Sequence, residues 1–165
     1  MNLSQLLHQQ LHAVYDKKEW FVAVKDALYG LTAEQAEIKI PGEEHSIKEL
    51  VIHIVYWSEW YLNRYRGIAV VPDDESNEYT FTGESLGEKN INWHSLNERL
   101  NKVLAGWENE LAVIIDDKLL SNIPDSNETW LNKISNVILH IAYHTGQIVC
   151  LRKIQNNWDS RQGVS

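Results

Sequence analysis

Between residues 96 and 114 the apolar side chains fall at Leu96, Leu100, Val103, Leu104, Trp107, Leu111 and Ile114. Steps of three and four gather them on one face of a helix, where a strand would need strict alternation. Three further segments share that period. Leu3, Leu7, Leu11 and Val14 form a first stripe, which resumes at Trp20, Phe21, Val24 and Leu28 after the polar break "DKKE", so one long or kinked first helix is expected. Ile47, Leu50, Val51, Ile54 and Tyr61 mark a second helix running to about Gly67. Leu131, Ile134, Val137, Ile138, Ile141, Ile148 and Leu151 mark a fourth, from near Thr129 to about Gln155. No segment reads as a sheet of any size, and no internal repeat is present. An all-α chain of 165 residues can bury a core without metal or disulfide staples, so residues 1–165 are expected to form one domain.

The helix starts carry their own signal. Ser46 with Glu49, and Ser95 with Glu98, have the spacing at which a hydroxyl and a carboxylate satisfy each other's free backbone N–H groups. Thr32 and Gln35 repeat it for a short turn ended by Pro41-Gly42. Between the second and third helices lie residues 67–92, too long and acidic for a tight hairpin; such a connection can cross a bundle and leave those two helices parallel. Four amphipathic helices and one long crossover describe a four-helix bundle.

Charge and cysteine usage narrow the function classes. The chain has 15 Lys plus Arg against 23 Asp plus Glu and no basic block interleaved with aromatics, which argues against nucleic acid, whose phosphates demand cations. No apolar run approaches the ~18–20 residues of a membrane span, and the N-terminus lacks a basic region followed by an apolar stretch. The single Cys150 cannot form an intramolecular disulfide, so a reducing cytoplasm is the expected compartment.

Chemistry concentrates in "LHIAYHTGQI", residues 139–148. His140 and His144 stand one helical turn apart, 40° around the axis, at the margin of the stripe formed by Val137, Ile141 and Ile148. They can grip one ion together, and Gln147 falls on the same flank. A selective site usually needs a third ligand, and His53 on the second helix, beside Leu50 and Trp57, is the best candidate. Three imidazoles from two helices leave coordination positions open, the pattern of a catalytic metal site. Inward histidines bonded to a carbonyl are the ordinary alternative, and the pair alone does not decide between them.

The remaining candidates weigh less. His8 and His12 repeat the spacing but fall on the polar flank of the first helix, away from Leu7, Leu11 and Val14, and read as solvated. His45 and His94 precede helix caps, where either could line a pocket mouth. Cys150 lies 240° around the helix from His144 and points elsewhere. Trp57, one turn beyond His53, suits a pocket wall, and Tyr143 joins it as a candidate, whereas Trp60 and Tyr61 read as core or rim packing. The acidic "PDDE" at 72–75 is a solvated loop unless the crossover folds a carboxylate over the site. Trp107 and Trp158 look like apolar surplus that four helices need not bury.

The stretch "WFVAVKDALYGLTAEQAEIKIPGEEHSIKELVIHIVYW", followed by Trp93 and then by "ILHIAYHTGQIVCLRK", resembles the DinB-like superfamily, which includes YfiT-type metal-dependent hydrolases and bacillithiol S-transferases. The likeness spans Trp20 to Lys153. It implies a four-helix bundle in up-down-down-up order, usually a homodimer, with a divalent ion, nickel or zinc, held by three histidines that match His53, His140 and His144. It also implies thiol-handling chemistry, S-transfer or hydrolysis, with a low-molecular-weight thiol as possible cosubstrate. The nucleophile would be a water or thiol activated by the ion, since no catalytic side chain stands out. A non-catalytic metal- or ligand-binding bundle is the second reading. In an enzyme, a cavity walled by residues such as Trp57 and Gln147 should face the ion, and in a scaffold that space should be filled.

Overall fold

In the computed structural model, residues 2–70 and 76–162 are described, and the order among them is entirely helical. The α-helices are α1 (Leu3–Tyr15), α2 (Val24–Leu28), α3 (Ala33–Glu37), α4 (Ile47–Tyr65), α5 (Trp93–Val113), α6 (Asp116–Leu120) and α7 (Trp130–Ile154). Short 3-10 turns occupy Asn77–Phe81, Gly83–Leu86 and Ser160–Gln162. Extended pairing among the described residues is limited to one isolated bridge, Asn122 with Thr129.

The four longest helices form a ring: α4 packs on α5 and α7, and α1 packs on the same two. Their stripes meet in a core that includes Leu7, Leu11, Ile54, Leu104, Trp107 and Ile141, each at most 2 % exposed. Truncating one of the buried leucines or isoleucines to Ala costs about 2–5 kcal/mol, because the close-packed surroundings relax only in part. Gly106 sits where α5 meets α4; a Cβ there would lie 2.7 Å from the Leu62 side chain, which would have to shift to admit it.

Three features differ from the sequence reading. Residues 16–23 are not helical, so the first stripe is split between α1 and α2. The polar "DKKE" has no apolar residue to hold a further turn on the core, and nothing there offsets the entropy of ordering it. The cap of the third long helix lies three residues earlier than expected: Asn92 accepts from the Ser95 N–H, which makes Trp93 the first helical residue. The Trp93 indole N–H donates to the Leu31 carbonyl and ties this helix start to the connector. Beyond α5 the chain adds α6, whose Asp116 carboxylate accepts from the Leu3 and Ser4 N–H groups and so caps α1 from outside.

Elsewhere the local rules hold. Capping boxes close at Thr32–Gln35 and Ser46–Glu49, and α7 starts at the Thr129 cap. Past the end of α4, Gly67 takes φ +72°, a conformation that L side chains rarely adopt, and stops the helix. Helix α7 has the length and composition to cross a membrane, contrary to expectation, yet half of that stretch is buried inside the protein. It packs on α1, α2, α4 and α6, as the central helix of a core does. Trp107 is no surplus: it is 1 % exposed, and its indole N–H donates to the Ser58 carbonyl. Trp158 is half-buried against the Arg152 guanidinium.

The crossover matters most for the site. Its acidic run at 72–75 lies outside the described residues. The part from 76 onward packs on α4 through both 3-10 turns. Arg99 pins it, donating to the Leu86 carbonyl at 2.7 Å while its other nitrogens grip both Glu59 oxygens at 2.6 Å. The paired geometry and the carboxylate beside it raise the Arg99 pKa further, so the clamp keeps its charge.

Candidate metal centre

His53 lies in the middle of α4, on the side that meets α7, and is 4 % exposed. His140 and His144 rise from successive turns of α7 to meet it. The three Nε2 atoms converge: His140 is 3.0 Å from His53 and 2.9 Å from His144. The acceptors on their outer sides fix how the rings are protonated. Thr80 Oγ1 gives its hydrogen to the Asn77 carbonyl at 2.6 Å, so toward His53 it can only accept, and the His53 Nδ1–H donates to it at 2.6 Å. The His144 Nδ1–H likewise donates to Gln147 Oε1 at 2.6 Å. Each outer bond places a proton on Nδ1 and leaves a bare Nε2 lone pair pointing inward.

Two lone pairs therefore face one His140 Nε2, which, as a neutral imidazole, can donate to only one of them. A cation satisfies all three at once. Nitrogens bound about 2.0–2.1 Å from one tetrahedral ion stand about 3.3 Å apart, a few tenths of an ångström wider than seen. The donor set of three neutral imidazoles suits zinc, nickel or another borderline divalent metal. Burial, reinforced by the neighbouring imidazoles, pushes the His53 pKa down to about 3 and the His140 pKa to about 4. Burial lowers His144 as well, against the opposing bond to Gln147. All three are thus neutral and ready to ligate near pH 7.

The crossover completes the surround. Phe81 stacks on His53 at 3.9 Å with rings 2° from parallel, and His45 stacks on the other face of Phe81 at 3.7 Å. Beside the triad lies a cleft of about 290 Å³, lined by His53 and His140 together with Trp57, Tyr61, Val137, Lys133, Asn77 and Asn136. Trp57 and Tyr61 are near-parallel at 5.9 Å and make its apolar wall. Burial pulls the Lys133 ammonium down, but its bond to Glu128 and the Tyr61 hydroxyl beside it leave its pKa raised, so it stays protonated at the cleft, paired with Glu128.

The expected residues thus sort into two groups. His53, His140, His144 and Trp57 come together. Gln147 touches the site only from behind, through His144, and lines a separate cleft with His45 and Cys150. Tyr143 is 64 % exposed and lines no part of the cleft beside the triad, although its ring meets the His144 ring edge-on at 5.0 Å. Tyr61, read as packing, is a cleft wall. His94 is exposed, 3.4 Å from Glu98. Thr80, Phe81, Asn77, Lys133 and Asn136 were not anticipated, the first three because the crossover has no periodicity to place them.

Known proteins agree with this architecture. No curated protein matches the sequence significantly. The solved structure titled sibling lethal factor precursor, DfsB, superimposes with a TM-score of 0.71 over 94 % of this chain and 98 % of its own, at 13 % identity, a likeness of fold alone. The family model described as the DinB superfamily matches residues 22–147, a span that holds all three histidines. The chain belongs to the DinB superfamily.

Proposed function

We propose that this protein is a divalent-metal-dependent enzyme acting on a small molecule, with His53, His140 and His144 as ligands. Thiol S-transfer or hydrolysis is its most suitable chemistry. The observation that carries the reading is the convergence of three imidazole Nε2 atoms at the wall of an open cleft. A scaffold would have filled that space with side chains. A bound divalent ion, nickel or zinc, supplies the Lewis acidity that makes water or a low-molecular-weight thiol nucleophilic at neutral pH.

The chain's own residues do the rest. Trp57, Tyr61 and Val137 exclude water from an apolar part of the substrate, and the Lys133 ammonium with Asn77 and Asn136 orients a polar or anionic part. Thr80 and Gln147 hold His53 and His144 in the required tautomers. The fold reading extends to an up-down-down-up bundle working as a homodimer. The dimer is supported by apolar side chains left in solvent, among them Trp20 at 90 %, Leu139 at 65 % and Tyr143 at 64 % exposure.

The test is elemental mass spectrometry on protein purified without an affinity tag, alongside His53→Ala and His140→Ala. Each helical variant is expected to hold one equivalent of divalent metal less than the wild type, and the wild type is expected to turn over thiols offered with electrophilic acceptors. Wild-type protein that stays free of metal at the triad after incubation with zinc and nickel removes the nucleophile this reading relies on and leaves a non-catalytic bundle.

A further inference from the structure

A second group of ligating side chains sits far from the first in the fold, on the seam between α1 and α5. His8 and His12 lie one turn apart on α1, with ring centroids 4.8 Å apart and edge to face. Glu108 reaches them from α5, its Oε1 3.5 Å from His12 Nε2. The ligand atoms of all three lie within 4.8 Å of one another, and all three residues are half-buried. Asp16 completes the arrangement: its carboxylate takes the His12 Nδ1–H at 2.9 Å and leaves the Nε2 lone pair facing Glu108 and His8. A carboxylate behind a ligating imidazole fixes its tautomer and makes it a stronger donor.

We propose that His8, His12 and Glu108 form a second divalent-metal site, independent of the three-histidine centre, in which a zinc-like cation clamps α1 to α5. The His12–Glu108 separation already matches the edge of a tetrahedral site, about 3.3 Å, and the widest pair has to close by on the order of 1.5 Å. Half-buried side chains on neighbouring helices make that adjustment by rotation. Two imidazoles and one carboxylate suit zinc or nickel and leave a fourth position for water. The carboxylate offsets part of the cation's charge, which the three neutral imidazoles of the first centre do not. The competing arrangement is contact of His12 with Asp16 and Glu108 alone, without an ion. That arrangement has no use for His8.

Equilibrium dialysis against zinc, read by elemental mass spectrometry, separates these cases. The His140→Ala/His144→Ala double variant removes two of the three ligands of the first centre and leaves the α1–α5 seam intact. It is expected to retain one equivalent of zinc and to show a rise in Tm that grows with zinc concentration. Adding His8→Ala or His12→Ala on that background abolishes both, and the near-isosteric Glu108→Gln weakens binding by about tenfold or more. Circular dichroism verifies that each variant stays helical; His8, His12 and Glu108 are half-buried at the seam, outside the apolar core. The proposal is overturned if the double variant takes up no zinc, or if its zinc survives both His8→Ala and His12→Ala. A wild-type protein whose single equivalent is lost in His12→Ala but kept in His140→Ala would support this site and sink the three-histidine one.

Discussion

The two histidine clusters share an i, i+4 pair and a third ligand from another helix, yet they differ in almost every physical respect. In the α4–α7 cluster, His53 and His144 are buried, all three ligands are neutral, and Thr80 and Gln147 act from outside as hydrogen-bond acceptors. In the α1–α5 cluster the ligands are half-solvated, one is anionic, and the outer partner is the charged Asp16. Spacing alone does not separate them. What separates them is the side of the helix on which each pair lies, because His140 and His144 border the apolar stripe of α7 whereas His8 and His12 leave that of α1. The first pair is thereby placed beside a cleft and the second on a seam.

The largest effect that tests this difference is removal of a histidine from the α4–α7 cluster. His140→Ala is expected to weaken metal binding at the α4–α7 centre by on the order of 100-fold or more, while His12→Ala leaves that centre's equivalent in place. Competition titration with a chromophoric chelator measures both. Equal losses from the two substitutions would mean that the clusters share one ion or one fold defect.

Next come the outer partners. Thr80→Val keeps the shape of the buried side chain but offers His53 Nδ1–H no acceptor, and a loss of about 10–100-fold in metal affinity is expected, with Thr80→Ser restoring it. Should Thr80→Ser fail to rescue, the methyl packing rather than the hydroxyl matters.

Acid should unfold the metal-free protein through the first cluster. His53 and His140 are depressed to about 3 and about 4, whereas unfolded histidines take up protons near 6.5. The unfolded state therefore binds more protons across that interval, and stability is intact above about 6.5 and falls as pH drops toward 4 and then 3. Thermal melts of the wild type and of His140→Ala across this range provide the measurement. A smaller acid loss in the variant is expected, and equal slopes would assign the sensitivity elsewhere.

The smallest effect belongs to the seam. Without metal, His12→Ala should change stability by less than about 1 kcal/mol, since its contacts with Asp16 and Glu108 are partly exposed. A larger loss by urea denaturation would make His12 a structural residue rather than a ligand in waiting.

Periodicity makes the four long helices legible, and the margin of the α7 stripe marks His140 and His144. His53 followed from the same logic on α4. What periodicity could not place was anything that acts through tertiary contact. Thr80 and Phe81 sit in a crossover whose sequence has no repeat, and their value depends on packing against α4. The start of α5 moved because Asn92 outcompeted Ser95 as the cap, a local choice between two residues able to accept the same kind of bond. Tyr143 and Gln147 misled as cleft residues, since one helix face can border a ligand cluster and still turn its next side chains to solvent or to a neighbouring groove.

The distance along the chain between His53 and His140 has a consequence for how the molecule comes into being. They are 87 residues apart, and the segment between them includes α5, which packs on both α4 and α1. As the chain leaves the ribosome, His53 waits, held at most by Thr80 and Phe81, until α7 arrives with the other two ligands. Contacts this remote in sequence form late, after the loop between them has been closed. A metal taken up at this centre would therefore be captured at the end of assembly, and a bound ion would certify that the last long helix has docked.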